Sequence, residues 1–213
     1  MARARVKVCG VTSVEEAVAC AGAGVDSIGV NLVASSMRRV DEATARSIAE
    51  AVGDRVLVVA VVAGLSVPEM RALRESTRVG CLQLHGDETA SDVAALLPHA
   101  YKAVRVSSAT DVSVADAMPG RYVLVDAKVE GALGGTGHTF DWPLVAALAT
   151  RRKLVLAGGL TPENVGAAIE ATGPWCVDVA SGVERAHEPG VKDLGKVRAF
   201  VDAARVASRG ARR

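Results

Sequence analysis

The sequence predicts a single-domain (β/α)8 barrel on three observations: short Val/Ile/Leu runs alternate with Ala-rich stretches of helical period, eight such pairs can be counted, and no linker interrupts the 213 residues. RVKVC at 5–9 is a first strand, and Thr12 and Ser13 start a helix over 13–23 with Glu15 and Glu16 in its first turn. VDSIGVN at 25–31 gives the second strand, followed by a helix at 41–52. VLVVAVV at 56–62 is apolar throughout, as a parallel strand covered on both faces must be. Ser66, Pro68 and Glu69 then open a helix over 66–78 with a cap, an early proline and a capping-box acid. GCLQL at 80–84 leads to a helix at 88–97, and YKAVRV at 101–106 to the shortest helix, 111–118, stopped before Pro119. RYVLVD at 121–126, KLVLA at 153–157 and WCVDVA at 175–180 precede helices at 141–149, 162–172 and 192–207. Periodicity does not show that the eighth strand closes onto the first, so an open, doubly wound sheet is the alternative. The barrel spans 1–207, and 208–213 forms a basic, frayed tail.

Composition excludes several function classes. Lys and Arg number 25 against 24 Asp and Glu, a formal charge of +1, so nothing draws the chain to nucleic acid or to an anionic membrane. Aromatic residues are 3% of the chain, too few for a row of base-stacking rings. Cys9, Cys20, Cys81 and Cys176 are widely spaced and have no clustered histidines beside them, which predicts free thiols and no metal site. With no apolar leader and no membrane-length run, the expectation is a cytoplasmic protein acting on a small molecule.

In such a barrel the reactive groups lie at the carboxyl ends of the strands. That rule selects Cys9, Asn31, Val62, His85, Arg105, Asp126, the Gly158–Gly159 pair and the segment from Asp178 to Gly182. Cys9 reads either as a small buried hydrophobe or as a nucleophile or general base, for which an ordinary thiol of pKa about 8.5 needs a positive field. Asp126 reads either as a turn residue accepting backbone N–H bonds or as a general acid between apolar walls, and the residues alone leave both open. His85, in QLHGDE, either packs under the rim or lines the site. Arg38, in SSMRRV, is surface charge or a fork for a carboxylate. LAGGLTPENV at 156–165 ends a strand in two glycines just before a helix, and WCVDVASGVE at 175–184 ends the next with Ser181 and Gly182. Loops after strands seven and eight are where barrels of this kind commonly hold a phosphate.

KVCGVT at 7–12, QLHGDE at 83–88, VDAKVEGALGGTGHTFDW at 125–142, LAGGLTPENV at 156–165, and VDVASGVE with GVKD within 177–193 resemble, in order and spacing, the phosphoribosylanthranilate isomerases of tryptophan biosynthesis. The likeness runs from residue 5 to about 203 and implies an Amadori rearrangement of N-(5-phosphoribosyl)anthranilate without metal or cofactor. It implies Cys9 as general base, Asp126 as general acid and Arg38 as the anthranilate site. It also implies Gly158, Gly159, Ser181 and Gly182 around the phosphate, with His85 and Asp178 in the pocket and 129–138 as a mobile cover. The partner implied is a phosphosugar substrate, for a monomer or a homodimer.

The chain departs from the family pattern in NLVASSMRRV, where Leu32 and Met37 replace an aromatic residue and a proline. It departs again in Ala180-Ser181-Gly182, where Ser-Ser-Gly is usual, and in a longer ERAHEPG segment. The first change suggests as an alternative an Amadori isomerase acting on a related aminoribosyl phosphate. A barrel that binds phosphate without catalysis is the reading from a different class.

Overall fold

A computed structural model describes residues 3–126 and 142–210. Eight parallel strands form a closed barrel in chain order: β1 (Arg5–Cys9), β2 (Ser27–Asn31), β3 (Leu57–Val62), β4 (Cys81–Leu84), β5 (Ala100–Arg105), β6 (Tyr122–Asp126), β7 (Lys153–Ala157) and β8 (Cys176–Val179). Closure comes from the pairing of β1 with β8, in which Lys7 lies opposite Asp178 and Val8 opposite Val179. The open-sheet alternative is therefore excluded.

The helices are α1 (Val14–Gly22), α2 (Glu42–Val52), α3 (Val67–Thr77), α4 (Ala90–Leu96), α5 (Ala109–Ala117), α6 (Trp142–Arg151), α7 (Val165–Thr172) and α8 (Leu194–Gly210). Helices α1 to α5 start after side chains that satisfy otherwise orphaned backbone N–H groups. Ser13 accepts from the Glu16 amide, and Ser66, Thr89 and Ser108 each form a reciprocal capping box with Glu69, Asp92 and Asp111. The Ser108 cap starts α5 two residues before the expected 111. Helix α7 starts later than the expected 162, because Asn164 closes a turn first: its Oδ1 accepts from the Thr161 amide at 2.7 Å and its Nδ2 donates to the Gly159 carbonyl at 3.0 Å. Helix α8 continues past residue 207, and Ser208, only 5% exposed, accepts from the Ala4 amide at 3.1 Å.

The apolar interior has two parts. One cluster fills the layer between sheet and helices and includes Val6, Val8, Ile28, Leu84, Leu156 and Phe200. The other, made of Val59, Tyr101, Ala103, Leu124, Val155 and Cys176, lies on the barrel axis. Strand residues alternate between the two, so with Val6 and Val8 facing the helices, Lys7 and Cys9 face the axis. A short hairpin unforeseen in the sequence, β9 (Glu184–Arg185) and β10 (Glu188–Lys192), stands on the rim after β8.

Candidate active site

Below the rim the barrel axis carries a layer of buried polar groups. Lys7 Nζ donates to Asp178 Oδ2 at 2.7 Å and to Gln83 Oε1 at 2.9 Å, and the Tyr101 hydroxyl donates to the same Gln83 oxygen at 2.9 Å. With two donors on Oε1, the Gln83 amide nitrogen is turned to His85 Nδ1, 3.1 Å away. Nδ1 is then the acceptor, and the hydrogen-bond network assigns the ring proton to Nε2. Burial foremost pushes the His85 pKa down, helped by Lys102, Arg105 and Lys7 and opposed by Asp126, so the ring is neutral at neutral pH. The loop after His85 is fixed from outside the barrel by Lys102 Nζ, which donates to the carbonyls of Leu84 and Gly86 and to Glu88.

Cys9 ends β1 directly above Lys7, and Gly29 on the neighbouring strand leaves room for it: a Cβ there would lie 2.7 Å from the Cys9 sulfur. Burial pushes the thiol pKa up, the Lys7 charge opposes this most strongly, Asp178 adds to the rise, and Lys192 opposes it. Lys7 itself stays charged. Burial alone would depress it, but Asp178 first, then Cys9 and Tyr101, outweigh that effect.

On the far side of Gly10 lies Arg38, whose Cδ occupies the space a Cβ on that glycine would need, at 2.4 Å. Its Nε and Nη2 form a bidentate pair with Glu184 at 2.5 and 2.9 Å. Glu184 also accepts from Lys192 Nζ at 3.0 Å, and the Lys192 side chain has no exposed surface. Burial works to raise the Glu184 pKa, but the hydrogen bonds and charges of Arg38 and Lys192 prevail and hold it at about 2.

The loops after β7 and β8 meet edge to edge. Gly158 and Gly159 take positive φ angles of 101° and 63°, a region L side chains rarely enter. Ser181–Val183 forms one turn of 3-10 helix, and a Cβ on Gly182 would lie 2.0 Å from the Leu160 carbonyl oxygen. Gly182 therefore lets the two loops touch, while Gly158, Gly159 and Ser181 face the space they enclose.

That space is a cavity of about 480 Å³ at the carboxyl ends of the strands. Cys9, Arg38, His85, Asp126, Gly158, Gly159, Asp178 and Ser181 all line it, together with Asn31, Gln83 and Arg105. Of the strand-end residues selected from the sequence, Val62 and Val179 turn into the apolar layer and Gly182 stands behind the wall. Strand β6 aligns Asp126 beside Arg105 of β5, and Asp126 is three strands from Cys9 by the shorter way round the barrel. Asp178 lines the cavity, and its Oδ1 is buried in the wall without a hydrogen-bond partner among the described residues. Among the described residues no cluster of three or more His, Cys, Asp or Glu side chains could hold a metal ion, and no helix is long and apolar enough to cross a membrane. The expected cover at 129–138 lies outside the described residues.

Sequence reasoning missed Lys7, Gln83, Glu184 and Lys192. Two of them carried a signal: KVC and QLH each place a polar residue two positions before a rim residue, hence on the same inward face.

A closed parallel barrel with a thiol, carboxyl groups and a histidine converging on one rim cavity is the architecture of a (β/α)8-barrel enzyme. The family described as N-(5'-phosphoribosyl)anthranilate (PRA) isomerase matches residues 6–203. The N-(5'-phosphoribosyl)anthranilate isomerase of Pseudomonas aeruginosa (strain UCBPP-PA14) is 45% identical over 207 residues, covering 96% of this chain and 97% of that protein. The crystal structure of phosphoribosyl anthranilate isomerase from Thermotoga maritima superposes with a TM-score of 0.86 at 34% identity, covering 94% of this chain and 98% of that one. A second crystal structure of a phosphoribosyl anthranilate isomerase, in complex with reduced 1-(o-carboxyphenylamino)-1-deoxyribulose 5-phosphate, gives a TM-score of 0.83 at 32% identity, with the same coverages of 94% and 98%. The chain belongs to the N-(5'-phosphoribosyl)anthranilate isomerase family.

Proposed function

We propose that the chain isomerises N-(5-phosphoribosyl)anthranilate to 1-(2-carboxyphenylamino)-1-deoxyribulose 5-phosphate, with Cys9 and Asp126 as its proton-transfer pair. The observation that carries this reading is the convergence of Cys9, Asp126 and the β7 and β8 loops on one cavity. Asp126 gives a proton to the furanose ring oxygen as the anthranilate nitrogen pushes its lone pair toward C1, and the C1–O bond breaks to leave a protonated Schiff base. The Cys9 thiolate removes the proton from C2, and those electrons flow to the nitrogen to give an enolamine, which tautomerises to the ketose. The aglycone nitrogen is the electron sink, so the two protein groups and the substrate complete the reaction between them.

The remaining residues hold the substrate. The backbone at Gly158 and Gly159 and the hydroxyl of Ser181 take the phosphate, with Gly182 keeping the two loops in contact. The Asp178 carboxylate accepts from a sugar hydroxyl, neutral His85 presents its Nε2–H to the cavity, and Arg38 receives the anthranilate carboxylate. The test is turnover of phosphoribosylanthranilate by the purified protein beside Cys9→Ala and Asp126→Asn. Each variant should lose about 10²- to 10⁴-fold in kcat with its fold intact, the range for loss of a general acid or base. Folded wild type that leaves the substrate unchanged would sink the reading, and variants as active as wild type would remove the two roles.

The segment after β2 favours a second reading of the aglycone. Val33, Ser35 and Ser36 line the cavity there, and Met37, 71% exposed, stands outside the cavity wall. These small side chains leave room for a substituted ring. Comparing kcat/KM for adducts of anthranilate and of substituted anthranilates decides whether the bulkier substrates are preferred.

A further inference from the structure

We infer that Glu184 is a positioning residue that sets the anion specificity of the cavity by holding Arg38 along one edge and leaving the other edge for a substrate carboxylate. The inference rests on the proposed role of Arg38.

A guanidinium has two edges able to form bidentate pairs, and Glu184 occupies the Nε–Nη2 edge at 2.5 and 2.9 Å. Nη1 has no protein partner among the described residues, and Arg38 lines the cavity. The Nη1–Nη2 edge is therefore the one available to a ligand. A long arginine side chain loses considerable rotamer freedom when fixed, and here that ordering is complete before any ligand arrives. Its stem fills the space beside Gly10, and Gly190 of β10 lies 3.8 Å from its Cγ by the position of a notional Cβ.

The charges also suit an anion. A lone Glu184 would cancel Arg38, but Lys192 on the paired strand binds the same carboxylate at 3.0 Å, so two cations share that one carboxylate. The β9–β10 hairpin supplies both: Lys192 is the strand partner of Glu184, and Lys192 Nζ is also bound to the Ala180 carbonyl at 3.2 Å. The rim hairpin thus braces the loop after β2 through one buried carboxylate.

The experiment compares two adducts of ribose 5-phosphate, one with anthranilate and one with aniline, which lacks the carboxylate, in steady-state assays of wild type, Glu184→Gln and Glu184→Asp. Glu184→Gln should raise KM for the anthranilate adduct about tenfold, from loss of an ordered charge-assisted contact, and leave KM for the aniline adduct nearly unchanged. Glu184→Asp keeps the charge beside Lys192 but shortens the reach, so it should fall between wild type and Glu184→Gln; it carries the test alone if the glutamine variant does not fold. In an Arg38→Met background, Glu184→Gln should add no further rise in KM. Equal effects on both adducts, or no effect on either, would overturn the inference while leaving the function intact. Wild type that handles the two adducts equally well would instead remove Arg38 as the carboxylate site, and the inference with it.

Discussion

The Lys7 ammonium and the Asp178 carboxylate lie 2.7 Å apart on the barrel axis, one layer below Cys9, with side chains 2% and 6% exposed. Breaking such a buried pair from one side leaves a stranded charge, which typically costs about 3–5 kcal/mol. Lys7→Met should therefore destabilise the fold by about that amount in chemical denaturation. It should also raise the Cys9 thiol pKa further, because the strongest opposing charge is gone. Alkylation of Cys9 followed against pH reads the second effect, and an unchanged alkylation profile would show that Lys7 does not act on the thiol.

Because burial holds the thiol protonated at neutral pH, the fraction present as thiolate grows about tenfold per pH unit below its pKa. If Cys9 is the base, kcat/KM should still be climbing at about pH 8, with the same limb in the rate of iodoacetamide inactivation. A profile already flat at about pH 7 would assign the base elsewhere.

A Cβ at Gly182 would collide with the Leu160 carbonyl oxygen. Gly182→Ala must separate the loops after β7 and β8, at a cost of about 1–3 kcal/mol for overpacking. Protection of the protein by inorganic phosphate against thermal unfolding should weaken in this variant, whereas a substitution at exposed Val206 should leave that protection as in wild type.

Glu184 is held at about 2, below its ordinary value of 4.5. A carboxylate with a depressed folded-state pKa stabilises the fold above the unfolded value, and that contribution is lost as pH falls from about 4.5 through about 2. Thermal unfolding followed down through that window should show a steeper fall in Tm for wild type than for Glu184→Gln. Parallel curves would mean that Glu184 does not carry this part of the acid sensitivity.

Most of the framework was legible in the chain because strands buried on both faces must be apolar and helix starts need capping groups. VLVVAVV and the Ser66–Pro68–Glu69 start both follow from those needs, and the observed strand and helix match them within a residue. The strand-end rule likewise named Cys9, Asp126 and His85, all of which line the cavity. The rule failed where a residue works through a partner distant in sequence. Glu184 reads as one more polar residue in the loop after β8, and its role depends on Arg38, 146 positions away.

The alternation of apolar and polar residues determined the number of units, their order and which strand ends carry reactive groups, since these follow from local burial. Closure of the barrel was a tertiary outcome, because it rests on the register that sets Lys7 against Asp178 across the two ends of the sheet. The same holds for the Asp126 aspartate of VLVD, which local residues left between a turn and a pocket: only the closed ring brings it to the cavity that Cys9 lines. Pair energies that decide such arrangements depend on distance in space, and a sequence fixes that distance only after the chain has folded.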